Sequence, residues 1–192
     1  MNTSKQVVSL YGKDKGVGLR KKRRRVILAP WVPTPDDAVE EIMKIASVGE
    51  GDTVCDLGCG DGRMLIAAVK NYGAKKAIGY EIKEELCNLS MQEIQKQGLQ
   101  QQIEIRQENM LNADISEISV LAMYQSTKTN EILRRKLEKE MKPGTRVVTY
   151  GFQIRKWQSK NQAQIFDHGY GDFHTVYLYV VPEAFTQNNL TD

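Results

Sequence analysis

Two carboxylates sit in or beside a glycine turn in the stretch VCDLGCGDGR, Val54 to Arg63. Gly58, Gly60 and Gly62 have no Cβ and accept positive φ, so this turn can bring backbone close to a ligand. A purely structural tight turn would use the same spacing, and the neighbouring charges decide between the two. A pyrophosphate at the start of the following helix would be repelled by Asp61, at a cost on the order of 1–4 kcal/mol at surface-like dielectrics. A ligand with an ammonium and a sulfonium gains from Asp56 and Asp61 instead. S-adenosylmethionine has that chemistry: an adenosine end that profits from close approach, a cationic methionine end, and no phosphate.

Further polar groups follow along the chain. Glu81, in YEI, lies 21 residues after Gly60 at the end of the next predicted strand, where an acid accepts hydrogen bonds from ribose hydroxyls. That spacing serves NAD as well, so it supports an adenosine ligand without choosing one. In RQENML, Asn109 is either a polar partner for adenine or an ordinary turn residue, with Met110 or Leu111 as apolar cover for the ring. Cys55, Cys59 and Cys87 are odd in number and fall in or beside core segments, so neither a disulfide framework nor a metal site is expected. His174, at a strand start, reads as a structural histidine rather than a base.

These residues need a frame, and the chain supplies an alternation of short β-branched runs with helical patterns, the mark of a layered α/β sheet. The first helix starts in TPDDAVEEIMKIASV, with Thr34 as N-cap, Pro35 in the first turn, and Asp36 and Asp37 at the positive end of the dipole. Val39, Ile42, Met43 and Ile45 share one face. Strands are predicted over Thr53–Leu57, Lys76–Tyr80, Ile103–Arg106 and Ile118–Ala122. Helices are predicted after Gly62 and from Glu84 to Gln97, and the charged segment NEILRRKLEKEM forms another before the Pro143–Gly144 turn into TRVVTYGF. AQIFDHGYGDFHTVYLYVV reads as a hairpin about a glycine-rich turn. A parallel sheet closed by an antiparallel hairpin is the order of the Rossmann-like class I methyltransferase fold, and other doubly wound sheets share much of it.

With 192 residues, 41% of them hydrophobic, the chain is the size of one ordinary domain. No stretch approaches the roughly 18 consecutive apolar residues of a spanning helix, and no apolar signal region opens the chain, so a cytoplasmic protein without a membrane span is expected. The expected state is a monomer. Residues 1–25 hold nine Lys or Arg against one acid, a net +8, while the remainder, with 18 bases and 23 acids, stands at −5. We therefore divide the chain into a flexible basic arm, residues 1–25, a folded domain, residues 26–185, and a short tail, residues 186–192. The run GLRKKRRRV, residues 18–26, either solubilises or recruits an acidic partner such as nucleic acid, ribosome or membrane surface. An Arg-rich organelle transit peptide is a third reading of the same run.

Taken together, VCDLGCGDGR, YEI, VPTP (Val32 to Pro35), LEKEMKPGTRVV and HTVYLYVV resemble the small archaeal protein lysine methyltransferases, with mitochondrial lysine methyltransferases as more distant relatives. The resemblance covers roughly Ala29 to Val181. It implies a mostly parallel seven-stranded class I sheet that binds S-adenosylmethionine and methylates lysine ε-amines of proteins, often of many proteins. Carried over by position, Asp56, Gly58 and Gly60 would hold the methionine part of the cofactor, Glu81 the ribose and Asn109 the adenine. PWVPTP would line the lysine entrance, placing Trp31, Val32 and Pro33 at the channel and Thr34 near the cofactor. The basic arm is longer than in compact members, and AMYQSTKTN stands where the family more often has an apolar run.

Methyl transfer from a sulfonium is an in-line displacement, so the protein chiefly has to align the two partners and exclude water. Tyr124 could wall the lysine channel or hydrogen-bond the amine, and Trp157 is either a channel residue or a loop anchor. Two rival functions use the same fold. Methylation of RNA or DNA is encouraged by the basic arm, but enzymes acting on base amines carry an (Asp/Asn/Ser)-Pro-Pro-aromatic motif where this chain reads AMYQST. The other is a nonenzymatic module that binds nucleic acid or an adenosine ligand.

Overall fold

The structure, a computed structural model, describes residues 31–185. The basic arm, residues 1–25, and the tail, residues 186–192, lie outside the described residues. In chain order the elements are α1 (Asp36–Ile45), β1 (Thr53–Leu57), α2 (Arg63–Lys70), β2 (Lys76–Glu81), α3 (Glu84–Lys96), β3 (Ile103–Gln107), β4 (Val120–Met123), α4 (Thr127–Glu140), β5 (Arg146–Tyr150), β6 (Asn161–Asp167) and β7 (Asp172–Val180).

The seven strands form one sheet in the order β3-β2-β1-β4-β5-β7-β6. β1 to β5 pair in parallel, while β7 runs antiparallel to both β5 and β6. The central strands are buried on both faces, which is why their sequences read as near-continuous apolar runs. On one face α1, α2 and α3 pack Ile42, Met43, Leu65 and Ile94 against Val54, Ala77 and Val148. On the other, α4 and the segment after β7 pack Leu133, Leu137, Val181 and Ala184 against Leu121, Val147 and Tyr179.

This order fixes where a ligand can enter. From β1 the chain builds outward through β2 to β3, then returns to the opposite side of β1 as β4. The loops leaving β1 and β4 therefore diverge, and the crevice between them, at the carboxyl ends of the strands, is the natural ligand site of an open α/β sheet.

Two helix starts differ from expectation. Pro35, not Thr34, occupies the N-cap of α1, and no side chain caps it; Thr34 instead gives its backbone carbonyl to the Arg63 guanidinium at 2.9 Å. α4 begins at Thr127 because the Ser126 hydroxyl accepts the Thr129 amide, adding most of a turn before NEIL. β4 starts at Val120; just before it Ser119 pairs by its backbone with Thr53 and Arg146, while its hydroxyl accepts the Thr53 amide and donates to Asp52.

Candidate active site

The first carboxylate is positioned by β1 itself. Asp56 is the penultimate residue of the strand, 5% exposed, and its carboxylate makes no hydrogen bond or ion pair with any described residue. Burial, then the charges of Glu81 and Asp61, raises its pKa to about 7. A buried carboxylate without a partner is costly unless a ligand completes it.

After Leu57 the chain turns sharply, with Gly58 and Gly60 at φ of 93° and 55°. The amides of Gly58 and Cys59 both donate to the Tyr80 carbonyl, at 2.7 and 3.1 Å, which ties the turn to the end of β2. A Cβ at Gly58 would come within 2.5 Å of the Gln125 amide nitrogen, and one at Gly60 within 2.3 Å of the Trp31 indole nitrogen. Positive φ together with these close approaches favours glycine at both positions.

Glu81 closes the end of β2. One oxygen accepts the Gly60 amide at 3.2 Å and the other accepts those of Ile82 and Lys83 at 2.8 and 2.9 Å. Glu81 thus holds the glycine turn in shape. Asn109, left open between two roles, accepts the Leu111 amide at 2.9 Å and caps the short 3-10 turn Met110–Asn112; its turn role is formed, and it faces the cavity as well.

Asp61 behaves differently from its neighbour Asp56. Its carboxylate is gripped by the Arg63 guanidinium, with contacts of 2.6 to 3.1 Å. The charge that the sequence sets against a phosphate is thereby largely neutralised two residues on, which leaves Asp56 and Glu81 as the acids at the turn without a cationic partner among the described residues. Arg63 then reaches across to the Thr34 carbonyl and lies 3.4 Å from Asp36, fastening the segment before α1 over the glycine turn.

These groups line one cavity at the carboxyl ends of the strands, open to solvent at its mouth. Trp31, Val32, Pro33, Thr34, Asp56, Gly58, Asp61, Glu81, Asn109, Met110 and Tyr124 all border it. Gly60 stands immediately beside it, under Trp31. Trp157 does not reach it: the indole is buried on the α4 face, 5.6 Å from the Tyr179 ring and 5.0 Å from Phe185, and donates to Glu138 at 2.9 Å. Of its two readings the loop anchor is the one formed, because the chain after β5 turns toward α4 and away from the glycine turn.

At the β4 end the Tyr124 ring meets Tyr150 edge-on at 4.8 Å and stacks near Phe152 at 6.4 Å. Burial, then the neighbouring Tyr170 and Asp167, push the Tyr124 phenol up to about 12, so it stays protonated at neutral pH. Sequence reasoning did not assign Gln125, whose amide donates to the Leu57 carbonyl at 2.8 Å beneath the glycine turn, or Arg63. Arg63 carried a local signal, an opposite charge two residues after Asp61; Gln125 carried none, since its partner lies 68 positions away. Among the described residues no group of His, Cys, Asp or Glu side chains could hold a metal ion.

The strand order, the glycine turn at its switch point and the acid closing the next strand together define a Rossmann-like class I methyltransferase. Comparison with known proteins narrows this. The chain belongs to the ANTKMT methyltransferase domain family, which matches residues 56–161. It is 46% identical over 154 residues to a protein-lysine N-methyltransferase of Saccharolobus islandicus, covering 80% of this chain and 94% of that one. It is 26% identical over 137 residues to the adenine nucleotide translocase lysine N-methyltransferase of Mus musculus, covering 70% and 59%. Among solved structures it is similar to an RNA methyltransferase from Salinibacter ruber in complex with S-adenosyl-L-homocysteine, with a TM-score of 0.75, 33% identity, and coverage of 81% and 97%.

Proposed function

We propose that this protein transfers the methyl group of S-adenosylmethionine to lysine ε-amines of other proteins, over a broad range of substrates. The observation that carries the reading is the buried, unpartnered Asp56 in the same cavity as an aromatic and apolar wall. One half suits a cationic donor, the other an alkylamine. In this reading Asp56, Gly58 and Gly60 receive the methionine part of the donor, with Asp61 beside them. Glu81 receives the ribose, and Asn109 and Met110 receive the adenine. The chemistry available from that donor is an electrophilic methyl group on a cationic sulfur.

The chain's own residues then have two tasks. An amine with a reference pKa near 10.4 must lose its proton before it can attack, which costs about 4–5 kcal/mol at pH 7 in water. Trp31, Val32 and Tyr124 supply a desolvating wall that lowers this cost. Tyr124, its phenol held protonated, orients the amine rather than deprotonating it, and Thr34 closes the wall at the donor side. The second task is alignment, which is where a rigid channel contributes most.

The Salinibacter ruber structure carries the name RNA methyltransferase, and the basic arm suits nucleic acid, so RNA is the second acceptor to test. Against it, the residues after β4 read Tyr124-Gln125-Ser126, and the Gln125 amide is committed to Leu57 rather than free to hold a base. We take the protein to act as a cytoplasmic monomer; no helix among the described residues is long and apolar enough to cross a membrane. The deciding experiment is transfer of a radiolabelled methyl group to a cell lysate, with mass spectrometry of the labelled molecules. Label on protein lysines is expected; label confined to RNA would overturn the reading.

A further inference from the structure

We infer that Asp167, the last residue of β6, is a positioning residue for the acceptor side of the cavity, aiming Tyr124 through Tyr150. The inference rests on the reading of that cavity as a lysine methylation site.

Asp167 is 1% exposed although it is a carboxylate. One oxygen accepts the Tyr150 hydroxyl at 2.8 Å; the other accepts the backbone amides of Gly169 and Tyr170 at 2.8 and 3.2 Å. The hairpin turn itself does not require this side chain, because the Gly171 amide already closes it on the Asp167 carbonyl at 2.7 Å. What the carboxylate adds is a connection into the sheet. Tyr150, the last residue of β5, is fully buried, and its ring meets that of Tyr124 in a T-shaped pair with centroids 4.8 Å apart.

Asp167, Tyr150 and Tyr124 lie at the carboxyl ends of β6 and β5 and just past that of β4, the same edge of the sheet as the glycine turn. On its other flank Tyr124 stacks near Phe152, whose backbone carbonyl is held by the buried Asn130 at 3.1 Å. Tyr124 is therefore packed against two aromatic rings whose own positions are fixed by hydrogen bonds, to Asp167 and to Asn130. Burial would raise the Asp167 pKa, but the hydrogen bonds from Tyr150 and from the Tyr170 and Gly169 amides outweigh it and hold the carboxyl below its ordinary range. His174 completes the cluster: its Nδ1 lies 3.6 Å from Asp167 and has no hydrogen-bond partner among the described residues.

Alignment is what such packing can supply, since a misplacement of about 1 Å at a reacting centre can cost about a hundredfold in rate. The test is a double-mutant cycle on a lysine peptide, with donor affinity measured separately by calorimetry. Asp167→Asn and Tyr150→Phe should each lower kcat about tenfold, with the Kd for S-adenosylmethionine within about twofold of wild type. In a Tyr124→Ala background neither should lower kcat by more than about a further twofold. Should Asp167→Asn fail to fold, Tyr150→Phe, which removes one hydroxyl and keeps the buried ring, completes the cycle alone. An active wild type with a fully additive cycle, or with donor affinity falling in step with kcat, overturns the inference alone. A wild type that binds the donor but methylates no lysine peptide overturns the lysine reading and this inference with it.

Discussion

At neutral pH Asp56 is balanced between its two protonation states, because burial and its acidic neighbours hold its pKa at about 7. A cation binds the ionised form better, so donor affinity should climb as pH rises from about 6 to 8 and level off above that. Asp56→Asn should bind at least tenfold more weakly at pH 8 and lose the slope, both measurable by calorimetry. The same group acts on stability in the opposite sense. Unfolded, it titrates near 3.8; folded, it keeps its proton up to about 7. The folded protein holds more protons across that window, so this group's contribution to stability declines as pH rises through it. Asp56→Asn should therefore melt higher than wild type at pH 8 while failing to bind the donor. If melting and binding were both unchanged, Asp56 would have no part in the site.

Among the elements, β2 and the turn after β1 share one packing problem. Gly79, inside β2, faces Cys59 of the glycine turn so closely that a Cβ there would stand 2.6 Å from Cys59 Sγ and from Leu65 Cδ1. Gly79→Ala should destabilise the fold by about 1–3 kcal/mol through overpacking and weaken donor binding, because the displaced residue belongs to the turn; thermal unfolding with and without S-adenosylmethionine measures both. The segment before α1 has a different dependence. It is fastened by Arg63 through the Thr34 carbonyl, so Arg63→Gln should raise the KM for a lysine peptide about three- to tenfold by loosening the Trp31–Pro35 wall. Removing that cation also unmasks Asp61, so donor affinity should stay level or increase. A fall in donor affinity with KM unchanged would place Arg63 on the donor side instead.

For the whole molecule, charge is divided unevenly along the chain: residues 1–25 stand at +8 and the rest at −5. An arm of that charge can raise encounter with acidic proteins without touching the chemistry. Deleting residues 1–25 should leave turnover on a free lysine peptide within about twofold and lower the methylation of acidic protein targets, the difference fading at high salt. Lost turnover on the free peptide would mean that the arm is part of the site itself.

Much of the fold is legible in the amino-acid sequence. β1 matches its predicted span, Thr53–Leu57, and α3 ends within a residue of prediction, because apolar periodicity, Gly98 and the acidic first turn are local signals. That Asp56, Gly58, Gly60 and Glu81 gather at one cavity is legible for the same reason: a strand, a turn and a strand end lie close together in the chain. What residue spacing could not convey was which charges were already taken. Asp61 and Asp56 look alike in sequence, and only the folded chain pairs one with Arg63 and leaves the other buried without a partner. Trp157 and Tyr124 are likewise both aromatic residues after strands, yet the path of the chain after β5 sends one to the α4 face and packing after β4 sets the other at the cavity. Local chemistry thus determined the elements and the kind of ligand they suit; long-range packing, which depends on contacts between residues far apart in the chain, decided which side chains remain free to meet it.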